Sequence, residues 1–198
     1  MINRLKGYKI ILASQSARRR ELIKGLDIPF ETAENYGFDE SYPPDMPDDE
    51  VAAFLAEKKS DAFPRKLNDN EILITADTMV KCRNELLGKP ANRRDAVGML
   101  EKLSGHRHEV ITGVCIASLR RKKIFSVSSQ VFFAELTSED IEYYVENYLP
   151  LDKAGAYGIQ EWIGYIGIER IEGSYYNIMG LPVARLWREL KDFTDLKY

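Results

Sequence analysis

Three consecutive arginines, Arg18, Arg19 and Arg20, follow Ser14 and Ser16 where a short apolar run gives way to a helical pattern. A helix N-terminus already carries partial positive charge, so a basic first turn opposes the usual preference for acids there. An anion would relieve that conflict. Free backbone N–H groups, hydroxyls and guanidinium forks together make a phosphate site. A solvated basic turn is the plainer reading, and the local pattern leaves both open. Neither glycine-rich phosphate loop, G-x-x-x-x-G-K or G-x-G-x-x-G, occurs, which argues against a Walker-type nucleotidase and a dinucleotide enzyme. No G-x-S-x-G elbow surrounds the serines, so they read as phosphate ligands and not as nucleophiles.

A second group of chemical interest is Asp77, at the end of the apolar run Ile72-Leu73-Ile74-Thr75-Ala76. A carboxylate ending a strand lies where open α/β sheets place ligands. It could hold a divalent metal, act as general base on water, or do both. A turn aspartate beside Thr78 is the alternative. Lys58, Lys89 and Lys153 each read alone as surface residues. Lys58 has Lys59 beside it, and the sequence does not choose between them. Lys89 stands in a bend imposed by Pro90. Residues 152–160, Asp152-Lys153-Ala154-Gly155-Ala156-Tyr157-Gly158-Ile159-Gln160, combine charge, small residues and an amide. They suit either a close backbone approach to a ligand or a tight loop. His106 and His108, two apart in an extended segment, point to opposite faces and make no metal pair.

The elements that must position these groups can be read from periodicity and breakers. Residues 9–13 form a strand, followed by a loop and a helix with Leu22, Ile23 and Leu26 inward. A short strand is expected at 30–33, then a Pro-rich loop from 34 to 48. A helix capped by Asp48 or Asp49 runs to just before Pro64. The strand 72–76 should deliver Asp77 at or near its end, with extended chain from 79 to 87 and a turn at Arg83-Asn84. Asn92 caps the next helix, closed by Gly105. Runs 109–119 and 123–133 form a hairpin. Thr137 and Asp140 make a capping box for a helix to Tyr148. Short strands are expected around Ile159 and over 166–171, and Pro182 opens a final helix. A mixed β-sheet flanked by helices, an α/β fold, accommodates this order in one domain over 1–198.

Composition sets the outer bounds. The chain has 198 residues, 44% hydrophobic and 30% charged, enough for one sizeable core. A formal net charge of −3 gives no sign of nucleic-acid binding. No run approaches the roughly 20 apolar residues of a membrane span, so no membrane partner is expected. Cys82 and Cys115 lie in apolar runs without ligand spacing and read as buried free thiols. A cytoplasmic setting is expected.

Seven short motifs, taken together and in order, resemble the Maf family of nucleoside triphosphate pyrophosphatases along almost the whole chain. They are Leu12-Ala13-Ser14-Gln15-Ser16-Ala17-Arg18-Arg19, Ala76-Asp77-Thr78, Gly88-Lys89-Pro90, Leu103-Ser104-Gly105, Thr112-Gly113-Val114, the segment 152–160, and Gly180-Leu181-Pro182. The resemblance implies an elongated mixed sheet with a deep central cleft between two lobes, of the type shared with inosine triphosphate pyrophosphatases. It implies a homodimer and hydrolysis of a nucleoside triphosphate to monophosphate and pyrophosphate, with Mg2+ or Mn2+ as cofactor. By position, Ser14, Arg18 and Arg19 correspond to the triphosphate clamp, Lys58, Lys89, Lys153 and Gln160 to further substrate contacts, and Asp77 to the catalytic acid or metal ligand. The forms of the second and sixth motifs resemble the branch preferring pyrimidine substrates, dTTP and UTP. Ala17 stands where the family usually has proline, and Glu161-Trp162-Ile163-Gly164 replaces the family's glycine-containing continuation after the glutamine. A nucleotide-binding regulator of cell division without turnover is the alternative function.

Overall fold

Strand β1, Lys9–Leu12, forms from a β-branched and aliphatic run whose last three residues are buried. It pairs in parallel with β2, Phe30–Thr32, on one side and with β3, Glu71–Cys82, on the other. A computed structural model describes residue 5 and residues 7–195 of the chain, without the side chain of Asp195. Its strands make one mixed sheet in the order β2-β1-β3-β5-β6-β7, with β5 at Arg107–Ala117, β6 at Lys122–Phe133 and β7 at Ile168–Glu172. The short β4, Glu85–Leu87, pairs antiparallel with the end of β3. The α/β class expected from the sequence is what the structure shows.

Helices α1, Ala17–Lys24, and α2, Asp48–Asp61, follow β1 and β2. Then come α3, Arg93–Leu103, α4, Ser138–Tyr148, α5, Trp162–Gly167, α6, Tyr175–Ile178, and α7, Val183–Asp195. The expected caps form at Asn92 and in the Thr137–Asp140 box. Helix α2 is different: Pro47 occupies the N-cap without a side-chain bond, and Asp48 and Asp49 lie inside the first turn. There they act on the helix dipole and not as caps.

Three further sequence expectations need correction. Asp77 lies in the middle of the twelve-residue β3, because the polar pair Asp77-Thr78 interrupts the apolar pattern without ending the strand. No strand forms at Ile159: Ala154–Ala156 is a 3-10 turn in which Gly155 has φ 66° and Ala156 φ 58°. Residues 162–167 are helical, so β7 begins only at Ile168.

Packing divides the chain into two units. The first runs through Asp77 and includes Thr112–Val127 and the chain from Gly180 on. Its core contains Ile11, Ala13, Ala56, Leu73, Cys115 and Ala117, with Tyr36 and Phe63 packed against them. The second comprises Thr78–Ile111 and Ser128–Met179. There α3 packs on α4 and on the 3-10 turn, and Leu100, Leu103, Val131, Tyr144 and Ile163 are buried. Each fully buried Leu or Ile contributes roughly 1.5–3 kcal/mol. Cys82 and Cys115 are buried free thiols, as expected. No helix among the described residues is long and apolar enough to cross a membrane.

Candidate functional site

In the first unit, β1 ends at Leu12, opposite Ile74 of β3, and the ladder continues with the Ala13 N–H donating to the Ile74 carbonyl at 2.9 Å. Because the strands are parallel, the chain leaving β1 runs alongside Thr75, Ala76 and Asp77. Ser14 is buried, and its hydroxyl accepts from the Ser16 N–H at 3.2 Å. Ser16 caps α1, accepting from the Arg19 N–H. The first turn of α1 has no acid to offset Arg18, Arg19 and Arg20.

Arg19 is held more firmly than a surface arginine. Its Nε donates to the Gly180 carbonyl at 2.7 Å. The residue keeps some accessible surface, yet its guanidinium is densely surrounded. Removal from water is the largest influence and lowers its pKa; Asp77 raises it and Arg18 lowers it further. The group remains a cation, since free guanidinium titrates far above neutrality. Asp77 also faces Lys59, whose Nζ stands 3.9 Å from Oδ1, with both side chains about 15% exposed or less. That separation is an ion pair and too long for a hydrogen bond. Helix α2 delivers Lys59, and the Thr75 hydroxyl ties α2 to β3 by donating to the Ala56 carbonyl at 2.6 Å.

Lys58 goes elsewhere. Its ammonium donates to Asp39 at 2.7 Å and to the Ser41 carbonyl at 2.8 Å, both in the Pro-rich loop. The lysine beside Asp77 is therefore Lys59. A helical wheel at about 100° per residue contains the signal that finds it: Lys59 falls in the middle of the arc set by the buried Val51, Leu55, Ala52 and Ala56, and Lys58 at its border.

The other three expected residues belong to the second unit. Lys89 is exposed and follows Gly88, whose carbonyl accepts from the Gly155 N–H at 3.0 Å. Gly155 needs its positive φ, and a Cβ there would meet Val80 at 2.9 Å. Lys153 is buried, with Nζ 2.7 Å from Asp152 and 3.1 Å from Glu161. Gln160 is partly buried, and its Oε1 is fully enclosed without a hydrogen-bond partner. An enclosed unsatisfied acceptor costs stability until a donor reaches it.

Among the described residues no three His, Cys, Asp or Glu side chains converge. The donor set therefore does not fit a cage for a resident metal. A lone carboxylate such as Asp77 would suit a Mg2+ or Mn2+ ion that takes most of its oxygen ligands from elsewhere, a common arrangement for Mg2+.

A family model described as "Maf-like protein" matches residues 9–193. The chain is 53% identical to a Parabacteroides distasonis protein named dTTP/UTP pyrophosphatase, over 98% of this chain and 100% of the relative. It is 52% identical to a Porphyromonas gingivalis protein of the same name, over 98% and 99%. A Phocaeicola vulgatus protein, also so named, is 49% identical over 96% and 99%. Among solved structures, a HAM1 protein from Coxiella burnetii matches with a TM-score of 0.45 at 14% identity, covering 93% of this chain and 99% of that one. The match along residues 9–193 and the identity near one half over full-length relatives have one consequence: the chain belongs to the Maf family.

Proposed function

We propose that the protein hydrolyses nucleoside triphosphates, preferentially dTTP and UTP, to the nucleoside monophosphate and pyrophosphate. The observation that carries this reading is Asp77 held between Arg19 and Lys59 beside the turn that leaves β1. The names of the close relatives support the substrate choice.

In the proposed reaction, Ser14, the α1 N-terminus, Arg18, Arg19 and Lys59 bind the triphosphate. Their charge is better matched to the transition state, where negative charge builds on the leaving phosphates, than to the ground state. Water attacks the α-phosphorus, the bond to the bridging oxygen breaks, and that oxygen leaves with pyrophosphate. Asp77 accepts the water's proton. The neighbouring Lys59 and Arg19 orient the Asp77 carboxylate. A divalent cation bound with the nucleotide would screen the phosphates and polarise the phosphorus. Lys89 and Lys153 supply further contacts to the nucleotide.

Gln160 is assigned to the base. Its enclosed Oε1 requires a donor, which the N3–H of thymine or uracil provides. N3 of cytosine is an acceptor and would leave the amide oxygen unpaired, a cost that discriminates well in a buried site. The experiment is pyrophosphate release from dTTP, UTP, CTP, ITP and 7-methyl-GTP with Mg2+, for the wild type and D77N. Turnover of dTTP and UTP above the others is expected, with D77N slower by about 100-fold or more. No pyrimidine turnover, or equal turnover by D77N, rejects the proposal.

A further inference from the structure

Glu161 has no role in the chemistry above, yet its carboxylate is committed in an unusual way. It occupies the N-cap of α5 but makes no cap bond to that helix. Instead Oε1 lies 3.1 Å from Lys153 Nζ, and Oε2 accepts a short hydrogen bond from the Tyr144 hydroxyl. Tyr144 is fully buried, and its oxygen in turn accepts from the Gly158 N–H at 3.0 Å. Gly158 sits so close that a Cβ would meet the Glu161 Cδ at 2.8 Å. One carboxylate thus fixes Lys153 at the start of the segment and, through Tyr144, Gly158 near its end. It is also covalently adjacent to Gln160.

We propose that Glu161 is a positioning residue that sets Lys153 and the Gly158–Gln160 backbone for nucleotide binding. The proposal rests on the reading that Lys153 and Gln160 contact the nucleotide. A buried ammonium without a firm counter-charge is costly. Asp152 also pairs with Lys153, but its side chain is 61% exposed against 20% for Glu161, so water screens it more. An ammonium has three N–H donors, and two carboxylates take two of them, leaving one for a substrate oxygen. Fixing Lys153 before the ligand arrives removes part of the ordering cost of binding. Such help acts on ground state and transition state alike, so it should appear in KM and not in kcat.

The test is a double-mutant cycle on the full chain with E161Q, K153M and the pair. Pyrophosphate release from dTTP gives kcat and KM, calorimetry with a non-hydrolysable dTTP analogue gives Kd, and circular dichroism checks folding. E161Q is expected to raise KM and Kd by about 10-fold with kcat within about 3-fold. Adding K153M to E161Q should change KM by less than about 2-fold, because the two act as one unit. Y144F removes one oxygen and should raise KM in the same direction, which serves if E161Q fails to fold. Unchanged KM in folded E161Q or Y144F, or effects of E161Q and K153M that multiply, overturns the proposal. A wild type that binds the analogue without turnover rejects the hydrolase reading alone, with the cycle still read in Kd. A wild type that does neither rejects both.

Discussion

Lys58 and Lys59 differ by one position on α2 and face different partners. Lys59 stands at 3.9 Å from Asp77, whereas Lys58 is tied to Asp39 in an exposed loop. Losing Lys59 removes a cation from the group proposed to meet the phosphates, and it takes one positive charge away from Asp77. K59M should therefore lower kcat/KM for dTTP by about 100-fold. K58M breaks a pair of the exposed kind that contributes little, and should change kcat/KM by less than about 3-fold. Steady-state kinetics of the two variants decide the point, and the reverse ranking would show that the clamp uses Lys58. Arg18, Arg19 and Asp77 drew attention in the sequence, the arginines by their conflict with the helix-start preference and Asp77 by its place after an apolar run, and the structure brings Arg19 near Asp77. Gln160 was placed only by resemblance, because an enclosed amide oxygen without a donor is a property of packing. Lys58 was the lysine taken by resemblance, whereas Lys59 is the one that faces Asp77; adjacent lysines are alike in type and only their angle around α2 separates them.

The elements show where pattern suffices. The strands β1 and β3, the capped α3 and α4, and the β5–β6 hairpin follow from periods of two and 3.6 and from caps; the parallel pairing of β1 with β3 is a property of the folded sheet. The misjudged stretch is 154–171, where short apolar runs fit a strand or a buried helix equally. Positive φ at Gly155 and Ala156 breaks the chain there, and Ala156 gives no sequence sign of it. Two predictions test how elements hold the site. Gly113 of β5 lies against α2 so closely that a Cβ would come within 2.2 Å of the Ala52 carbonyl group. Backbone cannot yield as a side-chain tip does, so G113A should destabilise by ~3 kcal/mol in chemical denaturation and displace Lys59's helix, lowering activity. Glu71 opens β3 and accepts from Arg65 at 2.6 and 2.9 Å and from the Asn68 N–H at 2.9 Å. The Arg65 bonds chiefly, helped by Asn68 and opposed by burial, bring its pKa down from 4.5 to about 2. A lowered folded-state pKa means stability that is complete above 4.5 and is lost as pH falls from there through about 2. E71Q should melt lower than the wild type at pH 7, and the gap should close across that window in Tm measurements.

At the scale of the whole chain, the backbone passes between the two units within strands. The boundaries fall at Asp77/Thr78 in β3, at Ile111/Thr112 in β5 and at Val127/Ser128 in β6. A hydrogen-bonded strand loses its remaining ladder partners when half of it melts, so the cost of separating the transitions is high. We therefore infer one cooperative domain, and the two tryptophans make this measurable. Trp187 lies on α7 in the first unit, and Trp162 lies in the second, 4.8 Å from the Tyr143 ring. W162F leaves the reporter of the first unit, and W187F that of the second. Fluorescence-detected urea denaturation should give midpoints that coincide once each variant's own stability change, measured by circular dichroism, is allowed for. Separate midpoints would mean that the units melt independently. Melting of the first unit alone would then take Arg19, Lys59 and Asp77 out of register while Lys153 and Gln160 stayed folded, and activity would follow the Trp187 signal.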